Sequence, residues 1–198
     1  MEHAKRDENG KLLAPNGKPS NLTEKQYAQV RTKAFKEWFG DWENDPKNAS
    51  KVVDENGEPL VVQHNSTSGD ITYFDKNKRG SNGGTLFGKG FYFSTNADYN
   101  SIFGKNVYDV FLNIKNPLSS DKNDPSYHIY EDYKLDIAFG DEDDTQTLLK
   151  NKGYDGVIAV NKSENNVIEY VAWDSNQIKS ATNNIGTFSR TNIDIYYL

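Results

Sequence analysis

An α+β fold is what this sequence predicts, and three patterns carry that expectation. Short alternating apolar runs dominate the chain, one strong helical stripe lies near its start, and a second, acidic-led helical stretch lies in its middle. The 198 residues suffice for one domain with a proper core, to which 12 tyrosines, 10 phenylalanines and 3 tryptophans bring large apolar faces.

Residues 1–20 are polar and rich in turns (Asn9-Gly10, Pro15-Asn16-Gly17), so a loosely held arm with at most a short hairpin is expected. A single helix is expected from Glu24 to Phe39. Thr23 stands at its cap, Gln26 at the capping-box position, and Leu22 can staple onto Tyr27. Tyr27, Val30, Ala34, Phe35, Trp38 and Phe39 make its stripe, which suits either packing on its own domain or docking to a partner. Gly40 ends it. Residues 1–50 therefore read as an arm and helix, 51–180 as the main domain and 181–198 as a tail with few core residues before Ile193 and Ile195.

Within the main domain, Val52-Val53 and Leu60-Val61-Val62 flank DENGEP as a hairpin or two short strands, and Ile71–Phe74 reads as another strand. Residues 76–90 form a loop with a local basic spot, Lys76-Asn77-Lys78-Arg79. A glycine-flanked turn then leads into Phe91-Tyr92-Phe93, where alternation puts the phenylalanines on one face and Tyr92 on the other. Residues 96–103 suit one or two helical turns. Val107–Ile114 alternates as a strand stopped by Asn116-Pro117, and 119–133 reads as loop. Asp141–Asp144 can cap a helix through Lys150, closed by Gly153, and Val157–Val160 with Val167–Trp173 make a strand pair.

A net charge of −6 argues against broad binding to nucleic acid or anionic membrane. The absence of cysteine removes thiolate nucleophiles and zinc–cysteine sites, and three histidines make a multi-histidine metal site improbable, so no metal is expected. No apolar run reaches the roughly 20 residues of a membrane span and no signal peptide is visible, so a soluble chain is expected, cytoplasmic or else secreted or delivered to a host or target cell; a monomer is expected.

Three residues at strand edges carry candidate chemistry: His64, Tyr92 and Glu169. Individually each suits an ordinary structural role; Glu169 is the least ordinary, a carboxylate among Val167, Ile168, Tyr170 and Val171. Together they resemble the H-Y-E class of ADP-ribosyltransferases, to which diphtheria toxin and the poly(ADP-ribose) polymerases belong. The carriers are the strand ending at His64, FGKGFYF at 87–93 and EYVAWDSNQI at 169–178. The chain is still more similar to the ADP-ribosyltransferase domains of phage and mobile-element polyvalent proteins, through LTEKQ…FKEWFGDW, NPL, GYDG and NQIKSATNNIGTF, in order over roughly residues 20–190.

This resemblance implies two small, bent antiparallel sheets enclosing an NAD⁺ cleft, and a mono-ADP-ribosyltransferase that modifies a protein as a phage or bacterial effector or toxin. It implies Glu169 as the catalytic carboxylate, Tyr92 stacked on nicotinamide, and Tyr99 or Phe103 as the opposing wall. It further implies His64 on the adenosine-side ribose and the backbone of Asn65 on the carboxamide, with Ser94 nearby. Acceptor choice would lie in loops 76–89 and 119–133. The chain departs from the pattern at Asn65, where glycine is usual. Ser94-Thr95 echoes the arginine-dependent class, but His64 and Val167 stand where that class has its arginine and its extra acidic or amide residue. The other readings are an NAD⁺ glycohydrolase, a nucleic-acid modifier, and a non-catalytic phage structural domain.

Overall fold

The computed structural model describes residues 4–79, 86–139 and 142–196. Residues 80–85 of the expected loop, and Asp141 of the expected cap, lie outside them. The described chain forms two sheets flanked by five helices.

The expected first helix is two. α1 (Glu24–Gln29) has the full Thr23–Gln26 capping box, and α2 (Lys33–Phe39) is recapped by Thr32. The Thr32 hydroxyl donates to the Gln29 carbonyl and accepts from the Phe35 N–H, so its side chain takes over bonds that a continuous helix would make. The freed Val30 carbonyl accepts from the Trp42 indole. This break lets Val30, Phe35, Trp38 and Phe39 all enter one cluster with Trp42, Phe111, Ala181 and Phe188. All three expected segments thus contribute to a single core.

The first sheet has the order β1 (Val62–Ser66), β3 (Asn106–Leu112), β7 (Ile178–Ser180), all antiparallel. The second has the order β2 (Phe91–Phe93), β6 (Val167–Ala172), β5 (Gly156–Asn161), β4 (Pro117–Ser119). Its β4–β5 pair is parallel, which corrects the all-antiparallel expectation. The chain returns from β4 to β5 through α4 (Tyr127–Phe139) and α5 (Glu142–Asn151), a crossover of the kind parallel pairing requires. The sheets meet where Gln63 and Ser94 exchange two backbone hydrogen bonds of 2.8 and 3.1 Å.

Alternation along β2 and β6 separates two further apolar clusters. Phe91, Phe93, Tyr170 and Ala172 pack between the sheets with Val62, Tyr108, Val110 and Leu112. The opposite face, with Val157 and Val171, is covered by Tyr130, Ile137 and Leu149 of α4 and α5.

Several local expectations are overturned for readable reasons. The strand expected to start at Leu60 and end at Gln63-His64-Asn65 starts two residues later, at Val62, and runs to Ser66. The hairpin around DENGEP reduces to one bridge, Val53 with Pro59, because proline has no N–H to extend a ladder. Ile71–Phe74 is not a strand: the Thr72 carbonyl is taken by Ile195 N–H and the Phe74 carbonyl by the Ser175 hydroxyl. Pro117, expected as a stop, opens the edge strand β4. Half of the loop expected at 119–133 is α4, whose apolar residues spread around the helix, leaving Leu135 exposed, so no stripe marks it. The N-terminal arm is not loose. It makes two bridges, Arg6–Leu12 and Leu13–Pro19, and the Tyr27 hydroxyl donates to the Leu13 carbonyl.

The C-terminal segment is tied in as well. Buried Lys179 donates to the carbonyls of Asn192 and Asp194 at 2.7 and 2.6 Å, and burial pulls its ammonium pKa down to about 8. No helix among the described residues is long and apolar enough to cross a membrane.

Candidate active site

β2 is set close against β6 by Gly90, where an added Cβ would lie 2.3 Å from Val171 Cγ1. Gly88, at φ +85°, turns the chain into the strand. Tyr92 then points to the helix-covered face, half-buried, and its hydroxyl donates to the Gly88 carbonyl at 2.6 Å and accepts from Phe87 N–H. The phenol ring is thereby pinned by the turn that precedes it.

Glu169 of β6 lies on the same face, because Tyr92 is paired with Val171 two residues further along. It is 4% exposed, and both carboxylate oxygens are met by donors. Tyr99 donates to Oε1 at 2.6 Å and Asn161 Nδ2 to Oε2 at 2.9 Å. Burial pushes the Glu169 carboxyl pKa up, the two hydrogen bonds work against that rise, and the charge of Glu164 adds to it. Burial first, and then the bond to Glu169, drive the Tyr99 hydroxyl above the usual tyrosine range, so it stays a donor.

Tyr99 reaches Glu169 from α3 (Ala97–Ser101), a short helix capped by Asn96. Phe103 stands edge-on to the Tyr99 ring at 5.4 Å between centroids. Ser94, expected near the ligand, is fully buried. Its hydroxyl donates to Asn100 and accepts from Asn96 N–H, so it serves to seat α3.

His64 ties the sheets together. Its Nδ1 is 2.9 Å from the Tyr92 carbonyl and must be the donor there, which leaves Nε2 as an acceptor in the neutral ring. Burial lowers the imidazole pKa, with the Tyr92 bond opposing, and the ring packs against Phe74 and Phe93. Asn65 lies in ordinary strand conformation, with no left-handed backbone to accommodate. Its Nδ2 donates to the Gly104 carbonyl, while Oδ1 is buried without a partner.

A direct hydrogen bond thus joins Glu169 to Tyr99, another joins His64 to the Tyr92 backbone, and Asn65 is linked to the loop carrying Phe103. Asn161 was missed, since nothing in the run Val157–Val160 singles out the residue that follows it. A cavity of about 860 Å³ opens beside Asn161, lined among others by Tyr127, Tyr130, Lys122, Lys162 and Ile168.

A family model described as ADP-ribosyltransferase in polyvalent proteins matches residues 54–188. The chain belongs to this family. No curated protein matches it. One solved structure, described as the crystal structure of an anti-CRISPR protein, aligns over 60% of this chain and 91% of its own at 14% identity and a TM-score of 0.34. The part that matches the polyvalent-protein ADP-ribosyltransferases runs from just before β1 to Phe188, so it holds every residue of the candidate site. ADP-ribosyltransferase domains in general use NAD⁺ as co-substrate.

The site depends on α3 lying tight on β1. Gly104, at φ +145°, would place a Cβ 2.2 Å from the Ser66 carbonyl carbon. Gly104→Ala in this ADP-ribosyltransferase domain is therefore expected to cost about 2 kcal/mol or more and to loosen Tyr99 from Glu169. Chemical denaturation measures the first effect, and the amide shifts of residues 97–104 report the second.

Proposed function

We propose that this chain cleaves the bond between nicotinamide and ribose in NAD⁺ and transfers ADP-ribose to a protein, with His64, Tyr92 and Glu169 in the H-Y-E roles. The observation that carries this reading is Glu169, a buried carboxylate held by two donors on the sheet face it shares with Tyr92.

The chemistry follows from charge. As the glycosidic bond lengthens, positive charge spreads over the ribose in an oxocarbenium-like state. Glu169, held away from water, stabilises that charge and accepts from the 2′-hydroxyl. Nicotinamide leaves neutral with the bonding electron pair, and an acceptor nucleophile bonds to the anomeric carbon as it loses its proton. Tyr92 holds one face of the nicotinamide ring, and Tyr99 with Phe103 the other. His64 offers Nε2 to a ribose hydroxyl on the adenosine side. The backbone of Asn65 grips the carboxamide, and its unpartnered Oδ1 supplies an acceptor for an amide N–H of that group. The acceptor approaches along segments 76–79 and 86–89 and the start of α4. A phage- or bacterium-encoded effector or toxin is the setting this activity suits.

The test is nicotinamide release from NAD⁺ by the purified protein, with and without cell lysate, beside labelling from NAD⁺ carrying a tagged adenine. Release that rises with lysate and places label on a protein band is the expected result. Release indifferent to lysate, with no labelled macromolecule, would replace transfer with hydrolysis. Label on nucleic acid would move the acceptor to that class.

A further inference from the structure

Resting on the reading of Glu169 as the catalytic carboxylate, we infer that Asn161 is its positioning residue. The Asn161 amide, locked by Ser163, aims the Glu169 carboxylate.

The argument begins with the ladder. β5 and β6 pair Ala159 with Glu169 and Asn161 with Val167, which makes Asn161 the diagonal neighbour of Glu169 on one face. Val167 is apolar, so no side chain two residues before Glu169 on its own strand can bind the carboxylate. The neighbouring strand supplies the amide instead.

An asparagine can present either its oxygen or its nitrogen. Here the Ser163 hydroxyl donates to Asn161 Oδ1 at 2.7 Å, which leaves Nδ2 to face Glu169 Oε2 at 2.9 Å. With Tyr99 on Oε1, the carboxylate plane is fixed from two elements. Asn161 is itself buried and makes these two bonds, while Ser163 sits exposed on the turn Lys162–Glu164.

The titratable groups facing Glu169 are Tyr99 from α3 and Glu164 from the turn after β5. Tyr92 of β2 shares its face with the hydroxyl turned to Gly88. Burial and Glu164 favour the protonated carboxyl, whereas Tyr99 and Asn161 donate to the charged form. Losing the Asn161 donor therefore moves the balance toward protonation.

The experiment titrates the Glu169 side-chain carboxyl by ¹³C NMR, assigned with Glu169→Gln, in the wild type, Asn161→Ala and Ser163→Ala. Asn161→Ala is expected to raise the Glu169 midpoint by about one pH unit. Ser163→Ala, on the exposed turn, is expected to raise it less, because the freed amide can flip. The acid limb of nicotinamide release should shift by the same amounts, with activity recovering as the pH rises. A midpoint unchanged in both folded variants overturns the inference. The titration needs no turnover: a wild type that releases no nicotinamide, but whose Glu169 shifts as expected, leaves the hold of Asn161 on Glu169 standing and removes the transferase reading.

Discussion

Glu169→Gln is expected to lower nicotinamide release on the order of 10³-fold while leaving the protein folded. Glutamine fills the same space but carries no charge to set against the oxocarbenium-like ribose, while its amide can turn its oxygen to Asn161 Nδ2 and its nitrogen to the Tyr99 hydroxyl, which can accept. The pH dependence of stability gives an independent check. The folded-state pKa of Glu169 is raised, so ionising it costs folding free energy. Its contribution favours the fold below the unfolded-state value near 4.3, and that advantage is lost as pH rises through the folded-state pKa. The melting temperature of Glu169→Gln should therefore gain on that of the wild type as pH goes from about 4 to 7. A variant that keeps full turnover would remove Glu169 from the mechanism. One whose stability tracks the wild type across that range would mean that the carboxyl titrates normally.

Phe35→Ala is expected to cost about 3–5 kcal/mol and to lower the melting temperature by roughly 10 °C. Phe35 is fully buried, and its ring centroid lies 5.7 Å from Trp38, 5.0 Å from Phe39, 5.1 Å from Phe111 and 4.9 Å from Phe188. Those partners come from α2 itself, from β3 and from the segment after β7, so the void opens at the centre of a shared core. Lys33→Ala on the exposed side of α2 is the control, expected to change stability by less than about 0.5 kcal/mol. Calorimetry should give one transition for wild type and variant alike. A separate low-temperature transition affected by Phe35→Ala alone would instead make residues 1–50 an independent unit.

Part of the geometry around the candidate site was legible because it depends on local alternation. Tyr92 opposes Phe91 and Phe93 in the structure as the period of two requires, whereas a lone carboxylate in the run 167–172 suits a solvent-facing place by its residues alone, and the structure buries it. The Thr23–Gln26 capping box is likewise a short-range pattern and formed as read. Tyr99 and Phe103 stood as equal alternatives for one wall of the cleft, and the residues alone could not show that Tyr99 bonds Glu169 while Phe103 stands edge-on to Tyr99. Ser94 stood as a ligand residue through the resemblance alone; in the structure its hydroxyl donates to Asn100 and accepts from Asn96 N–H.

What the sequence determined by itself is therefore whatever is set within a few residues: strand faces, caps, turns, and the order of motifs that places the chain among the ADP-ribosyltransferases of polyvalent proteins. The tertiary structure decided what depends on partners far along the chain. Trp42 and the Thr32 side chain break the first helix so that both halves reach one core. A helical crossover makes β4 parallel to β5. The β5–β6 register brings Asn161 to Glu169, and α3 brings Tyr99 across 70 residues. The reason is physical: a dihedral preference or a side-chain period acts on its own neighbours. The environment of a buried carboxylate is the sum of donors that meet only once the sheets have closed.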